Sequence, residues 1–180
     1  MAKKRKFAAY RRVERPYTRF SKYKKQCYVR ARPASRIVKY NFGSLNKNFE
    51  YRVDLISKST LQIRDLALEA ARITSNRVLE EIAGKSNYKM MIIPYPHHVL
   101  RENAFASGAG ADRMSTGMQK AFGKVIGVAA QIKTGQTVMS VHVNKEHLEL
   151  AKDAARRASH KFPCQWLITI NKNEVKKASA

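Results

Sequence analysis

Gly123-Lys124 lies in a glycine-containing stretch and invites comparison with a phosphate cradle, where backbone amides and a lysine converge on phosphate oxygens. The spacing fails twice. Met118 stands where the first glycine of G-x-x-x-x-G-K-[ST] belongs, and Val125 where the hydroxyl belongs. Gly108-Ala109-Gly110 runs on to Arg113 and not to the third glycine of a dinucleotide fingerprint. His97-His98 is the one histidine pair, and adjacent side chains on extended backbone point to opposite faces, so the two cannot share a metal ion without distortion. Glu102, Ser107 and Asp112 supply carboxylates and a hydroxyl, but no histidine neighbours a serine in a triad-like motif. Cys27 and Cys164 form no C-x-x-C pair and allow at most one bridge, which points to idle thiols in a reducing compartment. No reaction class acquires residues in roles, so the expectation is a protein without enzymatic activity, cofactor or metal.

The chemistry that the residues do support is cationic. The 180 residues carry 36 Lys and Arg against 13 Asp and Glu, a net charge of +23. Self-repulsion at that level calls for a polyanionic partner. Residues 1–40 hold 15 of the basic residues, one acid (Glu14) and seven of the aromatics, without helical or strand periodicity and interrupted by Pro16 and Pro33. Lysine and arginine displace counterions from phosphates, and interleaved rings stack on unpaired bases, so the pattern favours RNA over duplex DNA. The expected contacts are Lys3, Lys4, Arg5, Lys6, Arg11, Arg12, Arg15, Arg19, Lys22, Lys24, Lys25, Arg30, Arg32 and Arg36. The apolar run Phe7-Ala8-Ala9-Tyr10 is too short for a signal peptide, and no apolar stretch approaches a membrane span, so the expected location is cytoplasmic, with no membrane partner.

The elements that would carry this surface begin near Asn48. Phe49, Tyr51, Val53 and Leu55 alternate with Glu50, Arg52 and Asp54, the period of a half-buried strand. Ser59-Thr60-Leu61-Gln62 reads as a capping box for a helix running to Ala83, with Leu68, Ala71, Ser75, Val78, Leu79 and Ile82 on one face and Gly84 as its left-handed stop. Met90 to Ile93 reads as a strand ended by Pro94 and Pro96. Val125–Ile132 and Thr137–Val143 read as a hairpin across Lys133-Thr134-Gly135-Gln136. Asn144 is the expected cap of a second helix, with Leu148, Ala151, Ala155, Ala158 and Phe162 on its apolar face and Pro163 stopping it. Trp166, Ile168 and Ile170 form a last strand. The fold expected is α+β: a two-layer sandwich of two helices on one mainly antiparallel sheet. It divides into a basic arm over residues 1–43, a globular domain over 44–172 with an internal loop at 101–124, and a tail over 173–180, the arm and loop gaining order on a partner.

At the loop the sequence becomes specific. Ala109-Gly110-Ala111-Asp112-Arg113-Met114-Ser115-Thr116-Gly117-Met118-Gln119-Lys120-Ala121-Phe122-Gly123-Lys124 closely resembles the signature of a ribosomal protein family, the archaeal and eukaryotic large-subunit protein L-ten-e, counterpart of bacterial L-sixteen. Leu68-Glu69-Ala70-Ala71-Arg72-Ile73, Gly135-Gln136-Thr137-Val138-Met139-Ser140-Val141 and Lys161-Phe162-Pro163 agree with it, so the resemblance spans roughly residues 10–172 and is of the archaeal type. It departs at Tyr95-Pro96-His97-His98, at Gly108 where a cysteine is common, and at Glu14-Arg15-Pro16-Tyr17-Thr18-Arg19 in the arm.

The resemblance implies a hammerhead-type sandwich that binds large-subunit rRNA and helps shape the A-site tRNA corridor. Its implied partners are large-subunit rRNA, neighbouring ribosomal proteins, 5S rRNA and A-site tRNA. The loop would face the peptidyl-transferase region through Arg101, Ser107, Gly108, Gly110, Asp112, Arg113, Lys120 and Lys124. Small residues there let backbone approach RNA, the basic ones meet phosphate, and Asp112 is expected to pair with Arg113 or a lysine to hold the turn. The alternatives are a cationic RNA-modifying or processing enzyme and a general nucleic-acid packaging protein.

Overall fold

The computed structural model describes residues 5–6, 8–14, 23, 32–103, 108–110 and 123–173. Its strands are β1 (Asn41–Gly43), β2 (Tyr51–Ser57), β3 (Leu61–Arg64), β4 (Tyr88–Ile92), β5 (His98–Glu102), β6 (Lys124–Ile132), β7 (Thr137–Val143) and β8 (Trp166–Lys172). Helix α1 spans Asp65–Ala83 and α2 Leu148–Ser159, the latter preceded by a 3-10 turn at Lys145–His147. The expected α+β class with two helices holds, but the single sheet becomes two. One has the order β1-β4-β7-β2-β8 and the other β3-β6-β5, with every pairing antiparallel.

The five-stranded sheet is built on rows of apolar residues in register. Met90, Val141, Val53 and Ile170 form one row, and Ile92, Met139, Leu55 and Ile168 the next. This face packs on the helices. The fully buried Ala151, Ala154, Ala155 and Ala158 make α2 thin enough to lie close to both the sheet and α1. Ser75 of α1 sits in that contact and donates Oγ to the carbonyl of Ala154 at 3.0 Å. Leu61, Ile63, Ala130 and Ile132 bring the inner face of the three-stranded sheet into the same core, and α1 packs on both sheets.

Several local expectations change, each for a physical reason. Ser59 to Gln62 is no capping box. Leu61 and Ile63 are buried by pairing with β6, so period 2 wins and α1 starts at Asp65, without a side-chain cap bond from Arg64. Buried Asp65 serves the helix start instead, accepting from the amides of Leu66 and Arg36. Gly84 has the positive φ required (74°), but its ψ of 157° lies outside the left-handed helical region, and Asn87 Nδ2 satisfies the Ala83 carbonyl. Ile82 is exposed, and Ala83 takes its place in the core. Helix α2 ends four residues before Pro163, and Asn144 caps the 3-10 turn through its carbonyl, not its side chain. Phe162 remains buried beyond the helix, tilted against Trp166.

The hairpin dissolves altogether: β6 and β7 belong to different sheets. Their connection and that between β2 and β3 cross between the sheets at one corner and brace each other. Gly135 N donates to Ser57 O, Ser57 N to Gln136 O, and the hydroxyls of Thr60 and Thr134 meet at 3.1 Å. Strand β5 was not expected; its buried His98, Val99 and Leu100 follow the two prolines directly and pair with β6, so Arg101, Glu102 and Lys124 are strand residues at the root of the loop. The globular unit also begins before residue 44, since Ile37 lies in the core and β1 pairs with β4.

Gly43 closes that pairing with φ of +79°, and a Cβ there would collide with the Tyr88 carbonyl. Gly43→Ala should therefore lower stability by about 2–4 kcal/mol. Thermal denaturation should show a midpoint lower by roughly 5–15 °C; an unchanged midpoint would mean that β1 contributes nothing to the folded state.

Candidate nucleic-acid interface

Charge is segregated by layer. Helix α1, the 3-10 turn and α2 hold seven of the 13 acids and six of the 36 basic residues, a net of −1, so the remaining segments carry +24. The helical charges are also largely consumed locally: Arg72 pairs with Glu69, Arg77 with Glu81, Lys152 with Glu149 and Arg157 with Asp153. The cationic surplus therefore belongs to the arm and to the strands and their connections.

Part of the arm is docked on the three-stranded sheet. Arg11 O accepts from the amide of Gln62, Tyr10 O from Gln62 Nε2, and Glu14 O from Gln131 Nε2. Arg64 Nη2 donates to the carbonyls of Arg5 and Lys6 at 2.5 and 2.9 Å. Tyr10 donates its hydroxyl to Glu102, which also pairs with Arg5, and the Arg5 and Arg64 guanidiniums lie over the Tyr10 ring. Tyr10 thus serves as an anchor, and Tyr40 likewise packs against Tyr95, over which Arg32 lies. Glutamines on a strand surface give no signal of this role in sequence, because they are ordinary solvent-facing residues until a second chain segment crosses them.

The predicted contacts divide accordingly. Lys6, Arg11, Arg12 and Arg36 expose their side chains. Arg5 is shared with Glu102. Arg32 donates to Tyr95 Oη and to the carbonyl of Pro96 while remaining exposed. Arg101 Nη1 donates to Gly123 O at 3.1 Å and ties together the two ends of the loop. Only glycine fits at 123, since a Cβ would strike the backbone of Glu102 and Asn103. Lys124 is exposed at the loop root, and Gly108 and Gly110 have φ of +127° and +82°. Lys3, Lys4, Arg15, Arg19, Lys22, Lys24, Lys25, Arg30, Ser107, Asp112, Arg113 and Lys120 lie outside the described residues, as does Cys27. Cys164 is an exposed free thiol.

Between arm and sheet is a cavity of about 630 Å³, lined by Arg11, Arg12, Glu14, Gln62, His98 and Arg101 among others. His98 is 2% exposed, while its neighbour His97 faces the other way, with Nδ1 near the Tyr95 carbonyl. Burial holds the His98 imidazole below its ordinary pKa, His97 pushes the same way and Glu14 opposes. Among the described residues no three His, Cys, Asp or Glu side chains gather as a metal site would need.

The strands hold a second polar group that sequence periodicity passed over. Asp54, expected on the wet face of β2, is buried, because β2 is interior to its sheet. It accepts from Arg52 Nε, Ser140 Oγ and Asn171 Nδ2. His142 lies alongside, its pKa lowered by burial and then by Arg52 and Lys89.

A basic α+β protein whose helical layer is nearly neutral and whose positive surplus falls in its other segments suits a polyanionic partner. Residues 17–169 match the profile of the ribosomal protein L16p/L10e family. Large ribosomal subunit protein uL16 of Archaeoglobus fulgidus is 45% identical over 163 residues, covering 91% of this chain and 90% of that protein. The uL16 proteins of Methanocella arvoryzae and Staphylothermus marinus are 43% and 47% identical, covering 90% and 84% of this chain and 95% and 88% of their own lengths. The chain belongs to the L16p/L10e family of ribosomal proteins, in its archaeal form, and is a structural protein and not an enzyme.

The buried His98 and the part-buried His142 make stability pH-dependent. Above the ordinary histidine pKa of about 6.5 both states are neutral; below it the unfolded chain takes up protons that the folded chain resists, so stability falls as pH falls. Melting midpoints should drop between about pH 7 and pH 5, and a His98→Gln/His142→Gln chain should show a flatter profile. Parallel profiles for the two chains would refute this assignment.

Proposed function

We propose that this protein is a structural constituent of the large ribosomal subunit, held to large-subunit rRNA by its arm and strand side, with neighbouring ribosomal proteins as further partners. The observation that carries the reading is the segregation of charge, +24 outside the helices against −1 within them. Its relatives' name, large ribosomal subunit protein, supports the same assignment. Lys6, Arg11, Arg12, Arg36 and Lys124 are the described side chains offered to phosphate. Residues 101–124 are the segment proposed to meet the A-site tRNA near the peptidyl-transferase region, and 5S rRNA is a further proposed partner. These finer contacts rest on the family resemblance. The protein works in the cytoplasm, on the ribosome.

The mechanism is electrostatic and geometric. Docking Tyr10 to Glu14 on β3 and β6 fixes the direction in which the arm leaves the domain, so the cations on either side reach different rRNA segments from one rigid origin. Arg101 and Gly123 do the same for the loop by locking its two ends at one strand pair.

A tagged copy expressed in an archaeal host should co-sediment with large subunits on a sucrose gradient. An Arg11→Gln/Arg12→Gln copy should incorporate less and wash off at lower salt, since each lost phosphate contact lowers the salt slope by about one. Recovery only at the top of the gradient would overturn the proposal. Equal affinity for duplex DNA and structured rRNA in competition would favour a general packaging protein instead.

A further inference from the structure

We infer a discrete seat for an RNA backbone phosphate on the outer face of the five-stranded sheet, formed by Lys89, His142 and Arg52. It lies apart from the arm and the loop, and it rests on the rRNA-binding reading above.

The strand register puts these residues side by side. Lys89 of β4 opposes His142 of β7, and His142 opposes Arg52 of β2, on the face turned away from the helices. Adjacent strands lie about 4.8 Å apart, so the three side chains rise from a strip about 10 Å wide, the scale of a single phosphodiester. Each has donor capacity to spare. Lys89 Nζ touches only the Leu45 carbonyl at 3.2 Å, and Arg52 uses Nε on Asp54, leaving both Nη groups without a partner among the described residues.

His142 supplies the most telling observation. Its Nδ1 faces Asn173 Nδ2 at 3.4 Å, and that amide nitrogen also donates to the Phe49 carbonyl at 3.1 Å. The second contact fixes the Asn173 NH₂ group, which can only donate, so His142 Nδ1 accepts and the ring proton sits on Nε2. Nε2 is buried and has no partner among the described residues. An orphaned buried donor is destabilising, and it is retained here between two cationic side chains. A phosphate oxygen, admitted as the flexible Lys89 and Arg52 chains part, would satisfy it.

Asp54 flanks the seat, two residues along β2 from Arg52 and on the same face. Its Oδ1 takes Arg52 and Ser140 and its Oδ2 takes Asn171, so its charge is spent on orienting the Arg52 fork and it is 3% exposed. The planar guanidinium held this way presents two parallel donors, the geometry that suits a phosphate.

The test uses the full chain and an in vitro transcript of large-subunit rRNA, with affinity followed from about 0.05 to 0.3 M KCl. Lys89→Gln should weaken binding roughly tenfold near 0.15 M and reduce the slope of log affinity against log salt by about one. His142→Phe removes a neutral donor, so it should weaken binding roughly threefold and leave the slope unchanged. Arg77→Gln, an equal charge change on α1, should do neither. Lys89→Gln binding with the parent's affinity and slope would overturn the seat, as would an equal loss in Arg77→Gln, which would mark a diffuse field. If His142→Phe fails to fold, Lys89→Gln still decides. Free phosphate that competes at millimolar levels in the parent but not in Lys89→Gln would support the seat. Failure of the parent itself to bind the transcript would instead bring down the rRNA-binding reading.

Discussion

A chain with 36 basic and 13 acidic residues packs only if its cations are kept from one another, and the two helices are where that is arranged. Four of their acids sit three or four positions from four of their bases, so most helical cations are answered on their own helix and the layer is close to neutral. Exposed pairs of this kind add little stability individually. Their consequence is topographic: the helices that pack on the sheets form a layer that adds almost nothing to the positive field, and the surplus charge belongs to the segments outside it.

That distribution explains why the arm is fastened by uncharged groups and carbonyls. Gln62, Gln131 and the carbonyls of Arg5, Lys6, Tyr10, Arg11 and Glu14 supply most of the bonds that hold it to β3 and β6. A guanidinium bonded through Arg64 to two backbone carbonyls keeps its charge while serving as a structural donor. Among the described residues Glu102 is the one carboxylate that bonds in this contact, and it neutralises Arg5 while receiving the Tyr10 hydroxyl. The arm can thus be held without surrendering Arg11 and Arg12, whose side chains remain exposed.

Sequence periodicity reached the elements whose burial follows from one face alone. The alanine stripe of α2 and the alternation of Val53 and Leu55 were legible because each is set by a single layer of contacts. Leu61 to Arg64 was not, since four residues with two apolar positions satisfy a helix start as well as a strand, and only pairing with β6 decides. The supposed hairpin failed for a related reason. A four-residue glycine connection says that the chain turns, but the partner of Ser57 across the corner is what sends β6 and β7 into separate sheets. Among the site residues, the general placement of positive charge was readable by counting. The hydrogen bonds made by Arg32 and Arg101 were not, because they depend on carbonyls of Pro96 and Gly123 brought in from distant positions.

The same logic bears on why a polar group is buried at Asp54. An interior strand of a five-stranded sheet would ordinarily be apolar on both faces when both are covered, yet here one face carries Lys89, His142, Arg52 and Asn171 in a single row. Burying a carboxylate is costly unless its oxygens are filled, and three donors from β2, β7 and β8 fill them. Two of the three, from Ser140 and Asn171, also tie β2 to β7 and β8 at the point where like charges would otherwise push the row apart. A hydrophobic residue at 54 would pack as well, but it would leave the guanidinium of Arg52 undirected and the repulsion among the row unanswered. The buried charge is therefore the condition under which a cationic sheet face can exist at all, and the side chains beside it inherit a fixed geometry from it.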